Sequence, residues 1–538
     1  MRRTFVTLVI ALCASLAAVV LTVAEAAPTA AKARNEQSTA AAFSFDDVAA
    51  LAQRLSQQPW QAPVDALPAE LAALGYDTLR DIRFRPDRAL WRAQGLPFEV
   101  QFFHLGGGLR QPVQVHEVVD GRATELHYSA DDWNFGGNRF SQGPARWGAL
   151  GHAGLRVHYS LNSPAYKDEL AVFLGASYFR ALGRDQQYGL SARGLALDTV
   201  GGAGPEEFPR FSAFWLERPA ADASAVVVHA LLESPRVTGA YRFTITPGDN
   251  TTVDVQARLF LRTSAQPALA TVATFGIAPL TSMYLHGENQ PSAADFRPEV
   301  HDSDGLLVAA TGPGAATGAA PEWLWRPLAR PGQPLASSFA VQRLQGFGLM
   351  QRERRFSAYE DTEARYDRRP SAWVEPLGDW GPGRVELLLL PTPDETEDNV
   401  VAYWVPASLP KPGQALEMAW RVHWQGDALQ QPPAGWTVQS RRGRSWAEPL
   451  PGEIKFVVDF DGPALRALPA DSSVDVVATV PSNARVLDSR AWRHPQGGWR
   501  MQLRVQRQDP EQPVELRAFL RQGSQTLTET WTALVPKE

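Results

Sequence analysis

Tyr241-Arg-Phe-Thr-Ile-Thr-Pro-Gly-Asp-Asn250-Thr-Thr-Val-Asp-Val-Gln-Ala-Arg-Leu-Phe-Leu261 reads as two strands folded back on each other. Phe243 and Ile245 lead into Pro247-Gly248-Asp249-Asn250, and Val253, Val255, Ala257 and Leu259 return with the same period of two. That period puts one apolar face on each strand, and the Pro-Gly-Asp-Asn stretch supplies the turn between them. The same alternation extends outward. Phe98, Val100 and Phe102 alternate with Glu99, Gln101 and Phe103, while Val226 to Leu232 is an apolar run suited to a strand covered on both faces. Val385 to Leu390 and Val400 to Trp404 follow the same logic, so the large region is mainly β. Helix is expected only near its start. Ser44, Asp46 and Asp47 precede Val48, Leu51, Ala52 and Leu55 as an N-capped amphipathic helix of about three turns, and Pro68 to Leu74 suggests a short second one.

A Pro-rich break, Pro406 to Pro412 with Gly413, separates this region from a tail. There Leu416, Met418, Trp420, Val422 and Trp424 share one face. Strand-like runs recur at Ile454 to Phe460, Val474 to Val480, Trp499 to Val505, Val514 to Leu520 and Thr526 to Trp531. Short strands joined by Pro, Gly and Asp turns predict a small Ig-like β-sandwich. The expected organisation is therefore a signal peptide over 1–26, a disordered leader over 27–42, a large β domain over 43–405 and the Ig-like domain over 413–538. Ala309 to Ala320 is low in complexity and is expected to be an exposed loop insertion.

The chain's 538 residues leave room for two or three domains at roughly 100–250 residues each. Its 52 basic against 58 acidic residues give a net charge of −6, with no basic excess to neutralise phosphates, so nucleic acid is not an expected partner. Arg2 and Arg3 precede nineteen uncharged residues, Phe5 to Val23, and then Ala24, Glu25, Ala26 and Ala27. This predicts a secretory signal cleaved after Ala26, with an uncleaved membrane anchor as the alternative. Arg2-Arg3-Thr4-Phe5-Val6 lies too close to the start for a good twin-arginine signal, so the export route stays open. The single Cys, Cys13, goes with the signal, and the mature chain then holds neither a disulfide nor a thiolate site.

No P-loop, H-E-x-x-H or G-x-S-x-G motif occurs, and Gly312, Gly314 and Gly318 are wrongly spaced for a dinucleotide fingerprint. No metal or cofactor is expected; the acidic loop at 394–399 lacks the Gly of an EF-hand. Polar and aromatic residues concentrate instead in Arg297 to Gly305, Tyr359-Glu360-Asp361, Arg365 to Arg369, Trp373 and Asp394 to Asn399. Each alone reads as a solvated loop, with Glu360 and Arg365 as a surface ion pair. Together they suit glycoside hydrolysis, which needs one carboxylic acid to protonate the leaving oxygen and one carboxylate to activate water or attack carbon. Asp302 and Asp398 come from separate loops and could form that pair. Most of the 17 Trp are expected to be ordinary core or inter-domain packing, but fully buried cores rarely need so many, and Trp323, Trp325, Tyr359, Tyr366, Trp373 and Trp380 could supply flat platforms for sugar rings.

At these segments the chain resembles the periplasmic glucans biosynthesis protein G/D family. The matching stretches are Leu96 to Phe103, Gly175-Ala-Ser-Tyr-Phe-Arg180, Tyr188-Gly-Leu-Ser-Ala-Arg193, Glu206-Glu-Phe-Pro-Arg210, Phe214-Trp-Leu-Glu-Arg-Pro219, Ala278-Pro-Leu-Thr-Ser-Met283, Arg297 to Gly305, Arg369-Pro-Ser-Ala-Trp373 and Asp394 to Trp404. The resemblance implies a large galactose-mutarotase-like β-sandwich followed by an Ig-like one, in a periplasmic protein needed to make osmoregulated glucans of β-1,2-linked glucose. It implies Asp302 and Asp398 as the essential carboxylates of an inverting β-1,2-glucan hydrolase or transglycosylase, with proton relay through waters. An inverting pair stands roughly 6.5–9.5 Å apart or more. Substrate contacts are expected from Tyr178, Arg180, Tyr188, Arg193, Glu207, Arg210, His301, Arg369 and Trp373 of the matched stretches, and from Tyr359, Arg365 and Tyr366 of the polar and aromatic segments beside them. The weak twin-arginine leader makes the chain more G-like than D-like. The alternative is a non-catalytic glucan-binding carrier or assembly factor for an inner-membrane glucan synthase, and a third reading is an Ig-domain scaffold for that synthase. β-1,2-Glucan and the synthase are the expected partners, with a homodimer left open.

Overall fold

In the computed structural model, which describes residues 42–263, 272–316, 318–426, 431–446 and 450–537, the expected hairpin forms from two long strands, Val237–Thr246 and Thr251–Leu261. Phe243 lies opposite Val255 and Ile245 opposite Val253, and all four are buried. The export signal and almost all of the expected leader lie outside the described residues.

The hairpin is the middle of one long sheet. On one side it continues through Val226–Glu233, Arg210–Glu217, Gln114–Val119 and Arg122–Glu125. On the other it runs through Ala415–Gln425, Ser371–Pro376, Arg343–Met350, Gly305–Thr311 and Glu322–Pro327. A second sheet covers one face of it, with Phe98–Phe103, Asp168–Leu174, Tyr178–Ala181, Phe275–Ser282, Gly383–Leu389 and Val400–Pro406 among its strands. Side chains of both sheets, such as Phe173, Leu280 and Trp404 against Phe214, Tyr241 and Trp420, make one continuous apolar core. This is the layered arrangement expected when two sheets each bury one face. The protein is mainly β, with a sandwich organisation.

Among the described residues helix is confined to short pieces. Phe45–Ser56 is the longest, and the Asp47 carboxylate at its start accepts from both the N–H (2.7 Å) and the hydroxyl (3.1 Å) of Ser44. Its Val48, Ala49 and Ala52 pack on Trp215, Leu231 and Ala240, on the outer face of the long sheet.

The tail does not begin a separate sheet. Ala415–Gln425, which follows the Pro-rich break, pairs with Thr251–Leu261 on one side and Ser371–Pro376 on the other, in the middle of the long sheet. Farther on, Thr530–Val535 runs parallel to Glu322–Pro327 through Leu324 and Thr530, and carries Val514–Gln522 and Asp475–Thr479 beyond it. A four-stranded sheet of Trp436–Gly443, Glu453–Asp461, Trp499–Arg507 and Ala484–Arg493 packs over this end. The second core joins Leu307, Trp325 and Trp373 of the long sheet to Phe456, Leu503 and Trp531.

Two local expectations change. Ala309, Ala310 and Thr311 are not loop; they end the buried strand Gly305–Thr311, because small side chains suit a strand pressed against large neighbours. Thr526 to Trp531 is not one strand, since Gln525–Thr526 and Thr530–Val535 are separate.

Candidate active site

Both acidic loops are stitched to one short segment, Ser282–Tyr284. Asn399 donates its backbone N–H to the Ser282 carbonyl (3.1 Å). Its side chain donates to the carbonyls of Tyr284 and Leu390 (both 3.0 Å) and accepts from the Tyr284 N–H (2.8 Å). From the other loop, the Asp302 N–H donates to the Met283 carbonyl (2.9 Å), and the Ser282 hydroxyl donates to that of Ser303 (2.9 Å). A segment with its three carbonyls and the Tyr284 N–H so engaged is a fixed base for the two aspartates.

Asp302 is buried and ion-paired with Arg369. The Arg369 guanidinium lies 4.1 Å from the Tyr366 ring centroid and donates to the Ala364 carbonyl (3.3 Å). Gly189 passes close by, where an added Cβ would stand 2.9 Å from the Arg369 Cδ. Tyr188-Gly189 therefore lies directly against the arginine that holds Asp302.

Asp398 opens on a cleft of about 410 Å³ lined also by Phe103, Glu169, Tyr178, Arg180 and Tyr188. Arg180 is aimed by the Ser191 hydroxyl (2.8 Å). Arg193, buried, donates to Thr281 and Glu206 (both 2.8 Å) and lies 4.9 Å from the Tyr178 ring centroid. The Tyr188 hydroxyl is buried, and burial together with the nearby Glu169 carboxylate holds its pKa above the ordinary value.

The two carboxyls act on each other. Asp398 is open to the cleft, yet the protein walls around it replace much of its bulk water and raise its pKa. The Asp302 charge raises it further, against Arg180, Arg193 and Arg369. Burial likewise raises Asp302, with Arg369, Arg180 and His301 pulling it back. Behind Asp302, His301 is buried, stacked on Tyr284 (5.3 Å between ring centroids) and held between Glu299 at Nε2 (2.8 Å) and Gln351 at Nδ1 (3.0 Å). Burial pulls its pKa down, but Glu299, Asp304 and Gln351 together bring it above the ordinary value.

One arginine gathers three of the polar segments. Arg297 donates to Asp295 (2.8 and 3.0 Å) and Asp361 (3.0 Å), and makes an ion pair with Glu395 (2.6 Å) that is off the hydrogen-bond direction. Arg297 holds the Asp295 carboxyl well below the usual range. Among the described residues no group of three or more His, Cys, Asp or Glu is placed to hold a metal ion.

Of the residues expected at the site, Asp302, Asp398, Tyr178, Arg180, Tyr188, Arg193, Tyr366 and Arg369 come together, with His301 behind them. The others are elsewhere or turned to structural work. Glu207 pairs with Arg236 (2.8 Å), which also holds Asp198, so it braces the wall. Arg210 donates to the Pro112 carbonyl (2.6 Å) and lines a neighbouring pocket of about 360 Å³ that shares Tyr178 with the cleft. Tyr359 is fully buried, its hydroxyl bonded to the Glu353 carbonyl (2.9 Å). Arg365 pairs with Asp367 rather than Glu360.

The tryptophan platforms are corrected most. Trp373 is 2% exposed and stacks on Trp323 in the second core, Trp325 lies under Arg352, and Trp380 packs on Trp404 and Trp420. Trp325 and Trp373 face inward between sheets, where a sugar cannot reach, while Trp323 and Trp380 are half-buried against other tryptophans. Glu169, Phe103, Ser191 and Gln351 carry no site signal in the sequence; Glu169 and Ser191 lie on strands whose polar residues look like ordinary solvent-facing positions. Asn399 could have been found as the polar neighbour of Asp398 in its motif.

The family model of the periplasmic glucan biosynthesis protein MdoG matches residues 43–535. Glucans biosynthesis protein G of Ralstonia nicotianae is 50% identical over 508 residues, covering 92% of this chain and 97% of that protein. The protein of the same name from Pseudomonas paraeruginosa is 45% identical over 508 residues, covering 92% and 93%, and that from Pseudomonas putida is 45% identical over 489 residues, covering 89% and 84%. The match takes in both acidic loops, the cleft and the strand-paired tail, and the chain belongs to the MdoG family of periplasmic glucan biosynthesis proteins.

Proposed function

We propose that the protein works in the periplasm in glucan biosynthesis, on a β-1,2-linked glucan backbone, by inverting hydrolysis or the matching transglycosylation. The observation that carries this reading is the pair of mutually coupled carboxyls, one open to the cleft and one locked to an arginine. Asp398 faces the cleft and its pKa is raised by its walls and by the Asp302 charge, the direction that suits a general acid. Asp302 is matched by Arg369, which favours its ionised form and suits a base. As the glycosidic bond breaks, the Asp398 proton goes to the leaving oxygen. Water, or a glucan hydroxyl in transfer, attacks the anomeric carbon and gives up its proton towards Asp302. Because Asp302 is buried behind Arg369, that proton passes through an intervening water rather than by direct contact. A membrane glucan synthase is the source of chain that fits this role.

The closure of Asp302 by Arg369 favours a second reading, a glucan-binding carrier that does no chemistry. Incubation of the purified protein with linear β-1,2-glucan separates the two. Chain shortening or transfer that vanishes in Asp398→Asn and Asp302→Asn supports the enzyme. Glucan binding that persists in Asp398→Asn, with no product from the wild type at high protein concentration, supports the carrier.

A further inference from the structure

A second and larger cleft, about 1000 Å³, lies on the far side of Gln351, between the segment Met350–Arg355 and the C-terminal four-stranded sheet. Its volume is at the top of the range for ligand pockets, and it shares no lining residue with the Asp398 cleft.

Six arginines line its wall, Arg354 and Arg441 among them, and four of the six are matched by carboxylates. Arg352 pairs with Glu529, Arg355 with Glu353, Arg466 with Asp461 and Arg500 with Asp459. The Arg500 pair is a two-bond fork of 2.6 and 2.7 Å. A guanidinium has five N–H donors and a carboxylate about four acceptor sites, so each fork leaves donors and acceptors side by side. At these four arginines a phosphate or sulfate meets a charge that is already neutralised. A hydroxyl, donor and acceptor at once, can bond to both members of such a pair.

Two further features point to a neutral polar ligand. In the same wall the Gln425 side-chain oxygen and the Thr437 hydroxyl are buried and meet no hydrogen-bond partner among the described residues. Gln425 is 1% and Thr437 3% exposed, and buried polar groups of this kind are normally completed by a bond. Beside them Trp436 gives a flat ring with Gly462 against its edge, where an added Cβ would stand 3.3 Å from the ring. An indole face next to paired donors and acceptors suits the apolar face and the hydroxyl rim of a pyranose.

We propose that this cleft is a second saccharide-binding site, which takes a neutral, hydroxyl-rich chain. It goes beyond the turnover proposed for the aspartates and does not depend on it. Gln351 connects the two places: it lines the second cleft while its amide donates to the carbonyls of His301 (2.9 Å) and Tyr366 (3.2 Å). One side chain therefore separates a saccharide bound here from the Asp302 loop.

The test is calorimetric titration of full-length Asp398→Asn with linear β-1,2-gluco-oligosaccharides, alone and combined with Thr437→Val or Trp436→Ala. Two binding events are expected, with the cleft substitutions raising the Kd of one at least about tenfold and leaving the other unchanged. Thr437→Val is near-isosteric and is expected to melt like the parent without ligand, so it carries the test if Trp436→Ala does not fold. A single event, two events that neither substitution alters, or displacement by inorganic phosphate overturns the proposal. Turnover is scored separately on the wild type. Product formation with only one binding event sinks the second site alone, and two events without product sink the enzyme reading alone.

Discussion

Glu288 provides a quantitative check on how the C-terminal sheet is joined to the rest. Its carboxylate accepts from the Ser440 N–H (2.6 Å), and its neighbour Asn289 accepts from the Arg442 N–H (2.6 Å), so this loop seals the seam against Trp436–Gly443. Burial pushes the Glu288 carboxyl up to about 7 from an ordinary 4.5; the Glu299 charge adds to this, while the Ser440 N–H and Arg441 oppose it. The folded state therefore binds a proton more tightly than the unfolded chain, and stability falls as pH rises from 4.5 to 7. At 1.36 kcal/mol per pH unit the ceiling is about 3.4 kcal/mol, and partial access to water brings the expected cost to ~1–2 kcal/mol. Glu288→Gln keeps an acceptor for Ser440 and cannot ionise. In urea denaturation the variant is expected to be more stable than the parent by ~1–2 kcal/mol at pH 8 and equal to it within about 0.5 kcal/mol at pH 4.5. Equal stability at both pH values, or a gain at pH 4.5 alone, refutes the assigned burial of this carboxyl.

Three other outcomes are expected. Gly346→Ala places a Cβ 2.2 Å from Cζ2 of Trp373, whose ring is backed by Trp323, and should lower stability by ~1–3 kcal/mol in thermal melts while leaving oligosaccharide binding at the Asp398 cleft intact. Arg369→Met leaves Asp302 buried without its cation; the loss is expected to be ~3–5 kcal/mol at pH 8 and to shrink in acid, as Asp302 takes up a proton, when denaturation is followed across pH. Asp302→Asn removes the repulsion that helps to raise Asp398, so the Asp398 carboxyl, followed by carbon NMR, should titrate at lower pH than in the parent. An unchanged titration would mean that the two carboxyls are not coupled.

The strands that could be read directly were those with one wet and one dry face, or two dry faces. Val226–Glu233 and the Val237–Leu261 hairpin are of this kind. Trp436–Gly443 and Ala484–Arg493 escaped notice because much of each is exposed, so no two-residue contrast marks them. Trp373 shows a different limit. Its side-chain chemistry fits a sugar platform or a core equally well, and only the presence of a second layer over the long sheet decides between them. At the site, Asp302 and Asp398 were recognisable from their motifs, but the partner of Asp302 was not. Arg354, Arg355, Arg365, Arg368 and Arg369 all lie within a short stretch of sequence, and it is the close approach of Gly189 and the ring of Tyr366 that place Arg369 on the carboxylate.

The strand pairing of Leu324 with Thr530 and of Trp325 with Trp531 carries a mechanical consequence. Domains tied by a flexible linker open and close about a hinge, but here the junction is a shared ladder of backbone hydrogen bonds sealed by a common core. The C-terminal lobe is thus a rigid buttress rather than a swinging lid. A polymer that touches both lobes meets jaws of fixed gauge, and selection by chain curvature and thickness can be built into the scaffold without any closing motion.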